Sequence, residues 1–288
     1  MQKRNVLSSP RLVELKKNRQ KVILNKILLS ILGLVGIFFL LTYLSRLHAL
    51  NVYDVKIVGN ETVDGEALKK VVTEEISGKY LWLFPKTNIF IFPKNKIKKA
   101  LSSKFKRLKD INLLVKGLEE EDFNGNYLEV KVTERTGEYV WCGDAPTEGG
   151  ARSTCSFLDD SGYLFDNAPY FSGNVYFKFY GSISESYFFP NIFSKLISLR
   201  DTLVRMGLKP VGLYVDKNGD IKVLLSGGKS STQPEIILKN AGNFETVIEN
   251  LETALTTEPL QSKFKNKYSS LLYIDLRFGN KVYFKFNE

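Results

Sequence analysis

The sequence predicts an α+β protein in which one membrane-spanning helix precedes two domains that mix helices and strands. The first observation is that residues 27–45 contain no charged side chain. The second is that, over residues 50–135, apolar residues recur first at strand spacing, then twice at helix spacing, then twice at strand spacing. The third is that residues 136–288 hold short alternating segments separated by Gly, Asn and Asp. This last pattern predicts a mixed, mostly antiparallel β domain with two packed helices.

Residues 27–46 form the predicted transmembrane segment. About 20 residues at 1.5 Å rise cross a hydrocarbon core of roughly 30 Å. A single helix is the form in which one chain segment satisfies its own backbone hydrogen bonds in lipid. The alternative is a buried core helix, but core helices rarely run this long without a polar face. Lys26 and Arg46 bracket its uncharged residues 27–45.

The preceding residues, 1–26, are strongly basic and are expected to form a mobile or surface-lying arm. They carry eight Lys and Arg and one Glu, a net of +7 out of the chain's +10. This asymmetry predicts a cytoplasmic tail and an extracytoplasmic bulk. The basic residues nearest the membrane are expected to face anionic lipid headgroups; they are Lys16, Lys17, Arg19, Lys21 and Lys26.

A cleavable signal peptide also begins with basic residues and an apolar run. Here the run exceeds the usual 7–15 residues, and residues 45–48 offer no small-x-small cleavage site. We therefore predict an uncleaved signal anchor. Because the high pI comes largely from the tail, it gives little support for nucleic-acid binding, and no nucleic-acid partner is expected.

The region 50–135 predicts the order β-α-α-β-β. Asp64 is placed to cap the first helix and Pro93 to begin the second. The predicted elements are a strand at 52–58, a helix to residue 76, an aromatic connector at 80–92, a helix at 93–105, and strands at 111–115 and 127–133. A solvated turn at 119–125 is expected between the last two strands. The lysines on the second helix indicate a solvated face or a contact with anionic lipid.

The region 136–288 predicts further strands and two helices. Asp216 to Asp220 is a strong turn signal between two alternating segments. The strands are predicted at 139–141, 213–215, 221–225, 235–239, 273–278 and 281–286, with a hairpin-like segment at 157–165 and helices at 190–206 and 244–255. Pairing apolar with apolar residues in the last hairpin requires an odd-numbered loop. We therefore predict a three-residue loop at 278–280.

Cys142 and Cys155 are the only cysteines, and twelve residues separate them. In an oxidising compartment a disulfide here would add roughly 3 kcal/mol of stability in the chain-entropy model. The alternative is two reduced thiols. A metal site is not expected, because no histidine accompanies the pair.

Catalytic patterns are weak in this sequence. The single histidine, His48, lies at the predicted membrane edge. Ser-His or Cys-His catalysis would have to use this one residue. The Gly-Gly-Lys-Ser run at 227–230 lacks the first glycine of a phosphate-binding loop. We expect a protein that is not an enzyme and has no cofactor, no metal and no small-molecule substrate.

Several short motifs resemble a known family. Val58-Gly59-Asn60, Asn88-Ile89-Phe90 and Val132-Thr133-Glu134-Arg135 resemble the corresponding parts of a POTRA domain. The basic tail, the single anchor and the ending Ile-Asp-Leu-Arg-Phe-Gly-Asn at 274–280 extend the likeness. The whole chain, in this order of segments, resembles the bacterial cell-division proteins FtsQ/DivIB. The resemblance divides it into a tail (1–26), an anchor (27–46), a POTRA domain (50–135) and a C-terminal β domain (136–288).

The resemblance implies a non-catalytic scaffold in the inner membrane at the division septum. Its POTRA domain and anchor would bring it to the division site. Its β domain would bind FtsB- or DivIC-like and FtsL-like proteins, and an FtsK-like protein is a possible further partner. Two other classes stay open: a POTRA-bearing envelope assembly or transport factor that binds polypeptide strands, and an exported enzyme such as a cell-wall hydrolase.

For the scaffold, we expect partner binding by strand addition to an open edge at 281–286. The expected anchors are Phe278, Tyr283 and Phe286, and the expected charge partners are Arg277, Lys281 and Lys285. The alternative is that the aromatics are ordinary core residues and the lysines merely guard the edge against aggregation.

Overall fold

The computed structural model describes residues 10–117, 125–144, 154–227, 233–239 and 244–287, with side chains from residue 14. These residues form two compact units, Met1–Glu134 and Arg135–Glu288. The predicted α+β class is confirmed, with an N-terminal apolar helix and a mixed sheet. Nearly all of the turn predicted at 119–125 and most of the loop at 227–230 lie outside the described residues.

Helix α1 (Pro10–Ser45) contains the predicted anchor. Within the described residues it is the one helix that is long and apolar enough to cross a membrane. It begins at Pro10, so residues 10–26 continue the anchor helix and are not the separate arm that we expected. Proline is favoured in a first helical turn, and the Leu, Lys, Arg and Gln that follow are good helix formers. The five basic residues predicted to face lipid headgroups are all exposed on α1.

The rest of the first unit has the predicted β-α-α-β-β order, with a small additional hairpin between the helices. Its elements are β1 (Val52–Val58), α2 (Gly65–Ile76), β2 (Lys79–Tyr80), β3 (Phe84–Pro85), α3 (Lys94–Lys104), β4 (Leu108–Lys116) and β5 (Asn126–Glu134). The three-stranded sheet has the order β1-β5-β4; β1 is parallel and β4 antiparallel to β5. Leu68 and Val72 of α2 and Ile97 and Leu101 of α3 are buried against this sheet.

The turn between β1 and α2 is held by Glu134 at the end of β5. Its carboxylate accepts backbone hydrogen bonds from Glu61, Thr62 and Val63 at 2.7 to 3.1 Å. Burial acts to raise the pKa of Glu134, but these three N–H donors outweigh it and the pKa is lowered. Gly59 closes the turn at φ +87°, where a Cβ would lie 2.3 Å from the Val132 carbonyl oxygen, so only glycine fits.

The second unit is built on a nine-stranded sheet with the order β14-β13-β12-β11-β10-β9-β6-β7-β8. The strands are β6 (Tyr139–Trp141), β7 (Cys155–Leu158), β8 (Leu164–Ala168), β9 (Lys178–Tyr180), β10 (Pro210–Val215), β11 (Asp220–Leu225), β12 (Glu235–Lys239), β13 (Leu271–Phe278) and β14 (Lys281–Phe286). The helices are α4 (Phe193–Arg205), α5 (Phe244–Thr256) and α6 (Leu260–Lys267). Antiparallel pairings outnumber parallel ones, as predicted. Strand β9 and helix α6 were not predicted.

The two faces of this sheet differ sharply in chemistry. On the inner face, one row of successive cross-strand partners is apolar throughout; it consists of Phe179, Leu213, Val223, Ile236, Ile274 and Phe284. The neighbouring row on the outer face consists of Tyr180, Tyr214, Lys222, Ile237, Asp275 and Tyr283. The inner row and helices α4, α5 and α6 form the core of this unit. The edge strand β14 therefore has an inner side facing helices and an outer side rich in polar and aromatic groups.

The predicted disulfide is confirmed. Cys142 and Cys155 are joined, with an S–S distance of 2.04 Å and a Cα–Cα distance of 4.2 Å. The bond connects the end of β6 to the start of β7, two strands that pair antiparallel. It thereby closes a loop between two neighbouring strands of the sheet.

Replacing both cysteines with serine (C142S/C155S) is expected to lower the free energy of unfolding by about 3 kcal/mol, because the unfolded chain regains the loop entropy. Denaturant unfolding of the detergent-solubilised chain in a W82F background, followed by fluorescence of Trp141, measures this. A reducing agent added to the wild type is expected to give the same loss and to leave the double variant unchanged. Equal stability of the two proteins under oxidising conditions would show that the bond contributes nothing.

Candidate functional site at the sheet edge

Strand β14 lies at one end of the nine-stranded sheet. Among the strands that the structure describes, it pairs with β13 alone. Within the described residues β14 is therefore an edge strand, as predicted. Its backbone N–H and C=O groups that point away from β13 pair with no other strand in that part of the chain, and such groups can accept a further strand. Lys281 and Lys285 are exposed on this edge.

The hairpin that presents β14 differs from the prediction. Phe278 pairs with Lys281, so the loop has two residues, Gly279 and Asn280, and the predicted three-residue loop is wrong. Ile274 nevertheless pairs with Phe284, apolar with apolar, because the register shifts between Asp275 and Phe278. A β-bulge supplies the extra residue that we had assigned to the loop.

Four of the six predicted binding residues lie together on the outer side of the edge. Phe278 and Tyr283 are 55 % and 49 % exposed, and their rings meet edge-to-face with centroids 5.2 Å apart. Lys281 and Lys285 flank them on β14 and are exposed. The four side chains form an aromatic ledge between two positive charges, which we call the edge ledge (Phe278, Lys281, Tyr283 and Lys285).

Phe286, the fifth predicted residue, lies on the opposite side of β14. It is half-buried, its ring centroid is 6.0 Å from that of Phe284, and it packs against the core. Its place is set by the alternation of β14, in which Val282, Phe284 and Phe286 share the inner face. Phe286 therefore supports the strand from within and is not part of the edge ledge.

Arg277, the sixth predicted residue, is held by two carboxylates. Its Nη1 donates to Asp220 Oδ2 at 2.6 Å and its Nη2 to Asp275 Oδ2 at 2.7 Å. Burial acts to raise the pKa of Asp275, but hydrogen bonds from Arg277 outweigh it and lower that pKa. The guanidinium thus joins β13 to β11, and its charge is already neutralised within the sheet. The positive charge presented at the edge comes from the lysines.

Sequence reasoning missed a groove on the inner side of the edge. It has a volume of about 300 Å³. Its walls are Asn280, Val282 and Phe284 from the hairpin and Asn250, Thr253, Ala254, Thr257, Glu258, Pro259 and Leu260 from α5 and the start of α6. Asn250 Nδ2 donates to the Gly279 carbonyl oxygen at 3.1 Å and ties the helix to the hairpin loop. One sequence feature could have indicated it: Asn250, Thr253 and Thr257 recur at helix spacing and form a polar stripe next to the apolar face of α5.

The edge thus offers three kinds of contact to an added strand. The free backbone of β14 supplies hydrogen bonds, the edge ledge covers one side, and the groove receives side chains on the other. Because side chains of a strand alternate between faces, one incoming strand would use both sides at once. Comparison of the chain with models of known protein families gave no match, and comparison with curated proteins gave none.

Proposed function

We propose that this protein is a non-catalytic, single-pass membrane scaffold of the bacterial division machinery. It binds FtsB- or DivIC-like and FtsL-like partners through the edge of its C-terminal sheet during septum formation. The observation that carries the proposal is the edge strand β14, which pairs on one side only within the described residues. The motifs that resemble the FtsQ/DivIB family supply the identity of the partners.

The membrane part of the proposal rests on α1. Its uncharged residues 27–45 are long enough to span a bilayer. The excess of positive charge before them favours a cytoplasmic N-terminus and an extracytoplasmic bulk in the inner membrane. In this arrangement the first unit acts as a POTRA domain next to the membrane, which its β-α-α-β-β order supports. Together with the anchor, it would bring the protein to the septum.

Partner binding then proceeds by β-augmentation. The incoming strand pairs with β14 and extends the nine-stranded sheet by one strand. The edge ledge supplies two aromatic side chains that are large, partly exposed and held against each other, which suits them to carry much of the binding energy. Lys281 and Lys285 favour a partner segment with acidic residues, and they speed its approach more than they strengthen the final complex.

The test is capture of the partners by the full-length chain in detergent. Replacing both ledge aromatics (F278A/Y283A) is expected to weaken binding at least about tenfold, because each hot-spot aromatic contributes on the order of 1–2 kcal/mol. Thr253→Trp is expected to weaken binding as well, since it fills the groove from the exposed face of α5. Binding constants for the wild type and both variants give the comparison.

Tyr170→Ala is the matched control, because Tyr170 is an exposed tyrosine of the same unit that lies outside β14. It is expected to bind as tightly as the wild type. Full affinity in both F278A/Y283A and T253W would exclude this edge as the binding site. A loss in Y170A equal to that in F278A/Y283A would indicate a general effect of removing surface aromatics.

A further inference from the structure

The small hairpin formed by β2 and β3 carries unusually exposed apolar side chains. At its tip Leu81 and Trp82 are 80 % and 89 % exposed. Soluble surfaces do carry single apolar residues, but adjacent Leu and Trp at a turn tip are a more specific feature. Phe90 and Ile91, which follow the hairpin, are also exposed. Tryptophan is enriched where proteins meet the membrane–water interface.

The hairpin packs beside the last turns of the anchor helix. The Phe84 and Phe38 rings meet edge-to-face, with centroids 5.6 Å apart. Phe38, Thr42 and Ser45 follow the i, i+4, i+7 spacing of one helix face, and Thr42 and Ser45 are buried there. The domain therefore covers one side of the anchor over its final two turns.

The depth of this contact follows from helix geometry. Lys26 is the last charged residue before the apolar run, so the hydrocarbon core begins after it. A core of roughly 30 Å then extends close to Ser45. Phe38 lies seven residues before Ser45, which places it roughly 10 Å inside the core boundary. Since Phe84 contacts Phe38, part of the hairpin lies at the same level.

Hydrogen bonds fix the hairpin and the following loop to the end of the anchor. Arg46 donates from Nε and Nη2 to the Leu83 carbonyl oxygen at 3.4 and 3.3 Å. Asn88 Nδ2 donates to the Ser45 carbonyl oxygen at 3.1 Å, and Asn51 Nδ2 donates to the same oxygen at 2.9 Å. Both asparagine side chains are buried. The two asparagines therefore supply hydrogen bonds to the Ser45 carbonyl oxygen at the end of the helix, where carbonyl groups have no partner within the helix.

The backbone at the tip gives an independent indication. Leu81 and Trp82 both have left-handed φ values, +45° and +64°. Turns of this kind strongly prefer glycine, asparagine or aspartate, because bulky side chains are strained there. Here the two most exposed apolar residues of the hairpin occupy the strained positions. Strain of this kind is concentrated at functional sites, where another interaction compensates it.

We propose that the tip of the β2–β3 hairpin inserts into the outer half of the bilayer that α1 spans, with lipid acyl chains around Leu81 and Trp82. The proposal rests on the membrane anchoring included in the proposed function and is independent of the division partners. Lys79, Lys86 and Arg46 lie close to the tip in sequence or by contact and suit anionic headgroups above it. The first unit is then held to the membrane at two points, which fixes its tilt and rotation.

The test uses the full-length chain reconstituted alone into phosphatidylcholine–phosphatidylglycerol vesicles. In a W141F variant Trp82 is the sole tryptophan, and brominated acyl chains quench a tryptophan that touches them. Strong quenching with a blue-shifted emission is expected. The matched control is W82F/W141F/T62W, whose reporter lies beyond the far end of β1, roughly 20 Å along the strand from the end of the anchor helix. That reporter is expected to show no quenching above the level in unbrominated lipid.

A second measurement covers the case in which W141F fails to fold. Because Cys142 and Cys155 are bonded to each other, Leu81→Cys introduces a single free thiol. A water-soluble maleimide is expected to modify it about tenfold more slowly in vesicles than it modifies T62C, since an apolar environment suppresses the reactive thiolate.

The outcomes separate this inference from the anchoring on which it depends. A chain that carbonate washing strips from the vesicles would overturn both. A chain that stays in the vesicles, with an unquenched Trp82 and a fast-reacting L81C thiol, would keep the anchoring and overturn the insertion. The vesicles contain no other protein, so protection that appears only after a partner with a transmembrane helix is added would assign the tip to that helix and would also overturn insertion into lipid.

Discussion

Replacing Phe179 with alanine is expected to lower the free energy of unfolding of the second unit by about 3–5 kcal/mol. Phe179 is fully buried on the inner face of β9. Its ring centroid lies 5.1 to 5.7 Å from those of four other aromatic rings, Tyr139, Phe177, Phe188 and Phe193. The alanine leaves a cavity among side chains that other strands and α4 hold in place, so the site collapses only in part.

The measurement is denaturant unfolding of the detergent-solubilised chain in a W82F background, where Trp141 reports on the second unit. Trp141 suits this purpose because its Nε1 donates to the Gly181 carbonyl oxygen at 2.8 Å within that unit. Phe278→Ala is the control, since it removes the same side chain from the exposed edge and is expected to change stability by less than about 1 kcal/mol. A loss for F179A no larger than the control's would show that β9 is not part of the core.

The importance of β9 was not predictable from local sequence. It has three residues, Lys178–Tyr180, and it joins β6 and β10, which are parallel to it but far from it along the chain. Its residues continue the aromatic stretch at 176–180, in which period-two alternation does not stand out. By contrast, the hairpin β10–β11 and the helices α2 and α3 were predicted because each carries its own turn or cap signal.

Helix α6 was missed for a related reason. Its sequence, Leu260–Lys267, is polar, and only Leu260 is fully buried. Its apolar face is completed by Phe264, which joins the core beside α5. A short helix of this kind gains most of its stability from tertiary packing and little from its own propensity. The groove beside β14 depends on this packing, so it could not be predicted either.

At the sheet edge, the sequence predicted the strand and most of its exposed side chains. It did not predict that Arg277 is paired with carboxylates within the sheet, whereas the lysines remain exposed. The alternation of β14 correctly separates Lys281, Tyr283 and Lys285 from the inner residues. The role of Arg277 depends on Asp220, which is 57 residues away in sequence and two strands away in the sheet. The bulge in β13 could not be predicted either. Pairing apolar with apolar residues requires one extra residue in the hairpin, but it does not decide whether that residue lies in the loop or in a bulge of the strand.

Replacing Asp159 with alanine is the second change expected to be severe, with a loss of about 3–5 kcal/mol, because it breaks an ion pair whose carboxylate is buried and removes the acceptor of the turn hydrogen bonds. Asp159 is 1 % exposed. It forms an ion pair with Arg135 and accepts hydrogen bonds from the Ser161 hydroxyl at 2.7 Å and from the Ser161 and Tyr163 N–H groups at 2.9 Å. The Arg135 guanidinium in turn lies 4.3 Å from the Tyr163 ring centroid.

The pH dependence distinguishes the charge of Asp159 from its packing. Burial acts to raise the pKa of Asp159, but the hydrogen bonds from Ser161, Tyr163 and Arg135 outweigh it, so the folded-state pKa lies below the ordinary 3.8. The stabilisation is therefore complete above the unfolded-state pKa and is lost as the pH falls through the folded-state value. The stability difference between wild type and D159A is expected to be constant near neutral pH and to shrink below about pH 4.

Asp160→Ala tests whether the effect belongs to this one carboxylate, since the neighbouring Asp160 is exposed. It is expected to stay within about 0.5 kcal/mol of the wild type. Asp159→Asn retains an acceptor for the Ser161 and Tyr163 N–H groups but removes the charge, so its stability is expected to fall between those of D159A and the wild type. If D159N were as stable as the wild type at neutral pH, the ion pair with Arg135 would add nothing, and the turn hydrogen bonds alone would hold the start of the second unit.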